Sequence, residues 1–180
     1  AFQAIHWTHV RDLDRAEELI RRAQDLAAER AWVSACHARV LLAADRWEEA
    51  LTQAEAAWAQ SPGMPAAAHA LGQALTRCGR LEDAARRLGE WARRGQSYEV
   101  TQLAVWFMLA QAERSFPHDH LAWAAQAREL AAALPAQAPL ADRDTRNAIA
   151  YANLDLARLT NDREALEQGV ASVPSSVFRE

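Results

Sequence analysis

Apolar residues recur along most of the chain at helical spacing, and short polar stretches separate one apolar run from the next. This spacing places the apolar side chains along one face of an α-helix, so it predicts a succession of amphipathic helices. Alanine has the highest helix propensity and makes up about a quarter of the residues, which strengthens the prediction. Helices are expected near residues 2–11, 14–29, 31–43, 47–60, 65–77, 81–94, 98–114, 119–133, 143–159 and 162–171.

The chain also repeats itself at a fixed interval. Residues 45–50 (DRWEEA) resemble residues 79–84 (GRLEDA), which lie 34 positions further on. Residues 14–19 (DRAEEL) form a third copy with a shorter connection, and residues 161–166 (NDREAL) form a fourth, weaker one. A period of this length is typical of proteins built from helix–turn–helix repeats, in which neighbouring repeats bury each other's apolar faces.

In this pattern the chain resembles the tetratricopeptide repeat family, most strongly over residues 65–96 and in the copy before them. The matching residues are Leu71, Gly72, Leu75, Gly79, Leu81, Ala84 and Leu88, and in the preceding copy Ala38, Leu41, Trp47, Ala50, Ala54, Ala57 and Pro62. The resemblance implies an all-α fold, a tetratricopeptide-like right-handed superhelix of about four to five stacked antiparallel helix pairs. The repeat domain would cover residues 1–172, and residues 173–180 would be a C-terminal tail or a lead into further chain.

Side-chain size at the matching positions predicts how the helices pack and where they end. The small residues Ala38, Ala50, Gly72 and Ala84 would let the two helices of a pair approach closely, while Trp47, Leu75, Leu81 and Trp91 would fill the core. Pro62 is expected to end one helix and Pro65 to begin the next, because proline suits the first turn but not the interior. The remaining boundary signals are Asp119 and Asp142 as N-caps, and Pro135 and Pro139 on either side of a connection.

Composition and charge narrow the classes of function. The net charge of −4 lacks the basic excess of a nucleic-acid binder, so no nucleic acid is expected as a partner. All twenty basic residues are arginine, which excludes a Schiff-base lysine and a phosphate-loop lysine. Cys36 and Cys78 are expected as small buried residues. No apolar run has membrane-spanning length and no signal segment opens the chain, so a bacterial cytoplasmic location is expected.

Histidine clusters are the only hint of metal chemistry in the sequence. His118 and His120 flank Asp119, but two ligands on one helical face need a spacing of three or four residues. His6 and His9 have that spacing but no acidic or cysteine ligand nearby, and His37 is expected as a hydrogen-bonded, half-buried core residue. We therefore predict no catalytic residue, metal or cofactor, and we do not expect an enzyme.

The helix predicted over residues 98–114 is apolar on all sides in its middle, from Leu103 to Ala110. A surface helix should have a polar face, so either neighbouring helices enclose this one or one of its sides lines an apolar groove. Exposed tryptophans would be natural anchors for a partner, because aromatic side chains dominate interface hot spots.

The family resemblance implies a protein or peptide partner, held on the concave surface formed by the first helices of successive pairs. The corresponding residues here are Trp32, Arg39, Leu42, His69, Gln73, Thr76, Arg77, Leu103 and Phe107. Some family members clamp a peptide carboxylate with Lys, Asn and Arg; this chain has no lysine, and only Arg39 and Arg77 could substitute. The alternatives are an architectural or substrate-recruiting segment of a larger bacterial enzyme, such as a transferase or hydroxylase, and self-association into a homo-oligomer.

Overall fold

The computed structural model describes residues 4–5, 8, 11–27, 30–94, 97–137 and 143–172, and the side chains of these residues outside 135–149, Tyr151, Gly169 and 171–172. Within these ranges the regular structure is entirely helical. The helices are α1 (Leu13–Ala27), α2 (Ala31–Ala43), α3 (Trp47–Gln60), α4 (Pro65–Arg77), α5 (Leu81–Ala92), α6 (Tyr98–Arg114), α7 (His120–Gln137), α8 (Arg143–Leu159) and α9 (Arg163–Ser172). These bounds confirm the all-α repeat fold, with helix ends close to those that the apolar spacing predicts.

Local signals explain where the helices begin. Pro65 is the first residue of α4, where its missing N–H costs no hydrogen bond. The Ser97 side chain accepts a hydrogen bond from the backbone N–H of Val100 and caps α6. Asp119 directly precedes α7, and its backbone carbonyl accepts hydrogen bonds from the N–H groups of Ala122 and Trp123. Asp142 lies outside the described residues.

Helix α7 continues through Pro135 to Gln137, so the prediction of a connection beginning at Pro135 was wrong. Proline has no N–H to donate to the carbonyl four residues back, so one backbone hydrogen bond is lost, but its fixed φ near −65° is compatible with helical backbone. Pro139 lies outside the described residues.

The turns that precede α1, α3, α5 and α9 share one backbone conformation, which the turn before α7 (residues 115–119) lacks. Arg11, Asp45, Gly79 and Asn161 have positive φ values of 59°, 58°, 75° and 52°, and each lies two residues before the next helix begins. After three of these residues, the next N–H donates to a carbonyl five residues back, the hydrogen bond that defines a Schellman C-cap. These bonds join Arg46 to Leu41 at 3.0 Å, Arg80 to Leu75 at 2.8 Å and Asp162 to Ala157 at 2.9 Å.

This turn corrects the register predicted for the first copy. Arg11, not Asp14, takes the place of Asp45, so the first copy is 34 residues away and its connection is not shorter. In that register Ala16 corresponds to Ala50 and Ala84, and all three are fully buried. The predicted alignment instead matched similar charged residues, which are exposed and do not determine packing.

The chain divides into two compact units, residues 1–84 and 85–180, and the division falls within α5. In the first unit, α2 packs against α1, α3 and α4. The predicted small contact residues Ala38, Ala50, Gly72 and Ala84 are buried there, as are Leu75 and Leu81. Trp47 was expected in the core but is 37% exposed, because it is the first residue of α3 and lies at the edge of the contact.

In the second unit, α6 packs against both α7 and α8, and α8 packs against α7 and α9. Helix α6 supplies most of the largest buried side chains, Phe107, Met108, Val100 and Val105. The terminal methyl group of Met108 occupies the space that a Cβ atom at Gly89 would need, so α5 and α6 approach closely at this glycine. Trp91 is buried, as predicted.

Candidate partner-binding surfaces

The first unit contains seven of the nine predicted groove residues, all on α2 and α4. These two helices are the first members of successive pairs and are in contact with each other. Trp32 is 41% exposed and Arg77 is exposed, whereas the side chains of the other five are half-buried. Those five are Arg39, Leu42, His69, Gln73 and Thr76.

Arg39 and His69 are close enough to interact electrostatically across the α2–α4 contact. Burial lowers the pKa of the His69 imidazole, and the positive charge of Arg39 lowers it further. His69 is therefore expected to be neutral at physiological pH, so the positive charge of this surface comes from arginine. The Thr76 hydroxyl is less available to a ligand, because it donates to the Gly72 carbonyl at 2.8 Å.

His37 has the half-buried, hydrogen-bonded environment that the sequence predicts. Its Nδ1 atom lies 3.2 Å from the side-chain nitrogen of Gln24, and Gln53 also forms a side-chain hydrogen bond with it. Burial lowers the pKa of His37, against the opposing effect of the Gln53 hydrogen bond and the carboxylate of Glu17. These contacts tie α2 to α1 and α3, which is a structural role.

The second unit has an apolar cleft of about 330 Å³ between α6, α7 and α8. Its most deeply buried lining residues are Val105, Leu109 and Leu134. The more accessible lining residues, the ones that a ligand would meet first, are Gln102, Leu103 and Trp106 of α6 and Ala152 and Asp155 of α8. Helix α6 is therefore buried on one side and lines a groove on another, so both alternatives drawn from its sequence describe part of it.

Phe107 does not have the groove position that the sequence predicts, and the adjacent Trp106, whose role the sequence leaves open, is the exposed residue of the two. Phe107, an expected groove residue, is fully buried and offers no surface to a partner, whereas Trp106 is 58% exposed. The Trp106 ring packs edge-on against the Phe107 ring, with centroids 4.7 Å apart and an interplanar angle of 78°. The buried neighbour thus fixes the position of the exposed indole. A helix that is apolar on all sides gives no signal to distinguish two adjacent aromatic residues.

Asp155, a lining residue of the cleft, belongs to a group of three charged side chains on α6 and α8. The Arg158 guanidinium pairs with Glu113 of α6 and approaches the Asp155 carboxylate at 3.7 Å. Partial burial raises the pKa of Asp155, and the positive charge of Arg158 opposes that rise. The neighbouring Phe116 side chain is 67% exposed and stacks obliquely on His120, with ring centroids 4.8 Å apart.

The described residues contain no group of three or more His, Cys, Asp or Glu side chains placed to hold a metal ion. The His120 Nδ1 atom lies 3.1 Å from the backbone carbonyl of Pro117. His6 and His9 lie outside the described residues. Cys36 is buried and Cys78 half-buried, and in the part of the chain that the structure describes no helix is long and apolar enough to cross a membrane.

Comparison with known proteins agrees with the repeat geometry. Residues 41–104 match the family model of the tetratricopeptide repeat. No curated protein shows significant sequence similarity to the chain. The match begins in α2 and ends in α6, so it covers the two Schellman turns at Asp45 and Gly79. Residues 41–104 are therefore similar to tetratricopeptide repeats, and repeats of this family generally mediate protein–protein interaction.

Proposed function

We propose that this chain is a protein-interaction module rather than an enzyme, and that it binds a segment of its partner in the apolar cleft of the second unit. The observation that carries the proposal is an exposed tryptophan, Trp106, beside an apolar depression whose base is buried. Clefts that combine apolar walls with a few polar groups are the usual sites for a ligand or an anchoring side chain.

The position of the cleft within the repeat supports this proposal. Helices α6 and α8 are the first members of successive helix pairs, and they contact each other, as α2 and α4 do. The surface formed by first helices is the one to which the family resemblance assigns peptide binding. In the first unit the equivalent surface presents Arg39 and Arg77.

Leu103→Asp tests the use of the cleft. A carboxylate at this half-buried wall would have to be desolvated by an incoming apolar side chain, so we expect partner binding to weaken at least about tenfold. The matched control is Leu121→Asp, which makes the same change at an exposed leucine of α7 that does not line the cleft. Binding is measured by quantitative affinity purification from the native cell, followed by titration of the recovered partner with each purified variant.

The two substitutions separate cleft binding from binding elsewhere. Recovery that falls for Leu103→Asp and persists for Leu121→Asp supports the proposal. Equal recovery with both variants would show that the partner uses another surface. Circular dichroism melting curves of the variants serve as the check that neither substitution unfolds the chain.

A further inference from the structure

The volume of the cleft limits what can enter it. About 330 Å³ is near the lower end of the range of roughly 300–1,000 Å³ that is typical of small-molecule sites. A space of this size accommodates one large side chain, and the buried Val105, Leu109 and Leu134 give that side chain an apolar environment. The transfer of an apolar side chain from water to this environment is favourable.

Asp155, the one carboxylate among the described lining residues of the cleft, belongs to an uneven set of charges. Two carboxylates, Glu113 and Asp155, share the single guanidinium of Arg158. The closer pairing is with Glu113, and the distance from Arg158 to Asp155 is 3.7 Å, long for a charge-assisted hydrogen bond. These three side chains together have a net charge of −1, and the Asp155 carboxylate is both a lining residue of the cleft and 54% exposed.

We propose that the cleft binds a partner segment in which a large apolar side chain is followed or preceded closely by arginine or lysine. The apolar side chain occupies the space between α6 and α8, and the cation approaches Asp155. This inference rests on the proposed function and specifies the chemistry of the partner. Charge complementarity would add modest affinity and would mainly decide which apolar segments bind.

The same charges argue against a second copy of this chain as the occupant. In a symmetric dimer through the cleft, the same patch of both copies would form the interface, so two net negative clusters would lie within it. Like charges facing each other across an interface disfavour association. A partner of opposite charge meets no such cost.

The experiment selects peptides from a random displayed library with the purified full chain. We expect Leu, Phe or Met with Arg or Lys within one to four positions. Replacement of that base by glutamine in a selected synthetic peptide should weaken binding about threefold, the size expected for an exposed ion pair. Asp155→Asn should remove the difference between the two peptides, because it removes the charge and keeps the shape.

Two further variants extend the test: one should strengthen binding of the basic peptide, and the other should leave it unchanged. Arg158→Gln leaves both carboxylates without this guanidinium, so binding of the basic peptide should tighten. Glu129→Gln, which removes an exposed carboxylate of α7 outside the cleft, is the matched control and should change nothing. A higher salt concentration should weaken binding of the basic peptide and leave binding of the glutamine peptide almost unaffected.

The outcomes distinguish the inference from the proposed function. Peptides that require Leu103 but show no enrichment of Arg or Lys would overturn the inference while the cleft remains a binding site. A library that yields no binder sensitive to Leu103→Asp would overturn both. Equal loss with Asp155→Asn and Glu129→Gln would show that only the overall charge matters, and would also overturn the inference.

Discussion

At the scale of single residues, the left-handed position in the turns at Asp45 and Gly79 has the clearest energetic consequence. Gly79 adopts φ of +75° without steric cost, whereas Asp45 adopts φ of +58° with a Cβ atom that disfavours this conformation. The same turn is therefore formed by glycine, which adopts a positive φ easily, and by aspartate, which adopts it at an energetic cost.

Exchanges at these two positions should move stability in opposite directions. We expect Gly79→Ala to lower the free energy of unfolding by about 1 kcal/mol and Asp45→Gly to raise it by a few tenths up to about 1 kcal/mol. A Cβ at Gly79 meets no other atom within 4 Å, so the loss would come from backbone strain and not from a clash. Urea denaturation followed by circular dichroism measures both changes.

Gly79→Asn is the control for this prediction. Asparagine tolerates the left-handed conformation better than alanine, so its cost should be smaller than that of Gly79→Ala. Equal losses for the two substitutions would contradict the explanation by backbone strain.

Residue-scale prediction from the sequence was reliable for small buried positions and less so for aromatic ones. Ala38, Ala50 and Ala84 are buried as expected, because close helix contact requires a small side chain. Trp47 was expected in the core but is 37% exposed, whereas Phe107 was expected on the groove surface but is fully buried. Burial of a large aromatic residue depends on the position of the next helix, which a repeat alignment does not specify.

At the scale of helices, α1, α3, α5 and α9 begin with two kinds of cap. Asp12 and Asp162 accept hydrogen bonds from backbone N–H groups three residues on, at 3.2 and 3.0 Å. At the equivalent positions Arg46 and Arg80 instead donate to the acidic side chains Glu49 and Asp83. The first kind satisfies a backbone donor directly, and the second is an exposed ion pair.

These caps should differ in strength. Asp162→Ala removes an acceptor for a helix N–H and should destabilise α9 by about 1 kcal/mol, whereas Arg80→Ala removes an exposed ion pair and should cost less than about 0.5 kcal/mol. Asp162→Asn keeps an acceptor and should recover most of the loss. The free energies come from chemical denaturation of the full chain, and a larger cost for Arg80→Ala than for Asp162→Ala would contradict the ranking.

Helix bounds followed from apolar spacing and from proline, because both act locally. The register of the first copy and the continuation of α7 through Pro135 could not be predicted from these local signals. Both depend on packing partners that are distant in sequence. The same limit applies to the cleft, whose wall at Ala152 and Asp155 comes from a helix that had no sequence signal for binding.

At the scale of the whole molecule, repeats contact mainly their neighbours, so stability should vary along the chain. Helices α2 and α4 contain many fully buried residues, whereas none of the described side chains of α9 is fully buried. We expect amide hydrogen exchange to be slowest in α2 and α4 and fastest in α9. Hydrogen-exchange mass spectrometry measures this gradient, and uniform protection of all helices would indicate a single cooperative unit instead.

The regular spacing of the left-handed turn residues also bears on how such a chain can grow. Arg11, Asp45 and Gly79 are separated by equal steps of 34 residues, and each marks the same point in the backbone path. If the segment between two of these residues were duplicated, both new junctions would connect equivalent points of the repeat. Insertion of one further block of this length is therefore expected to extend the protein without a new loop, whereas a block of any other length would need one.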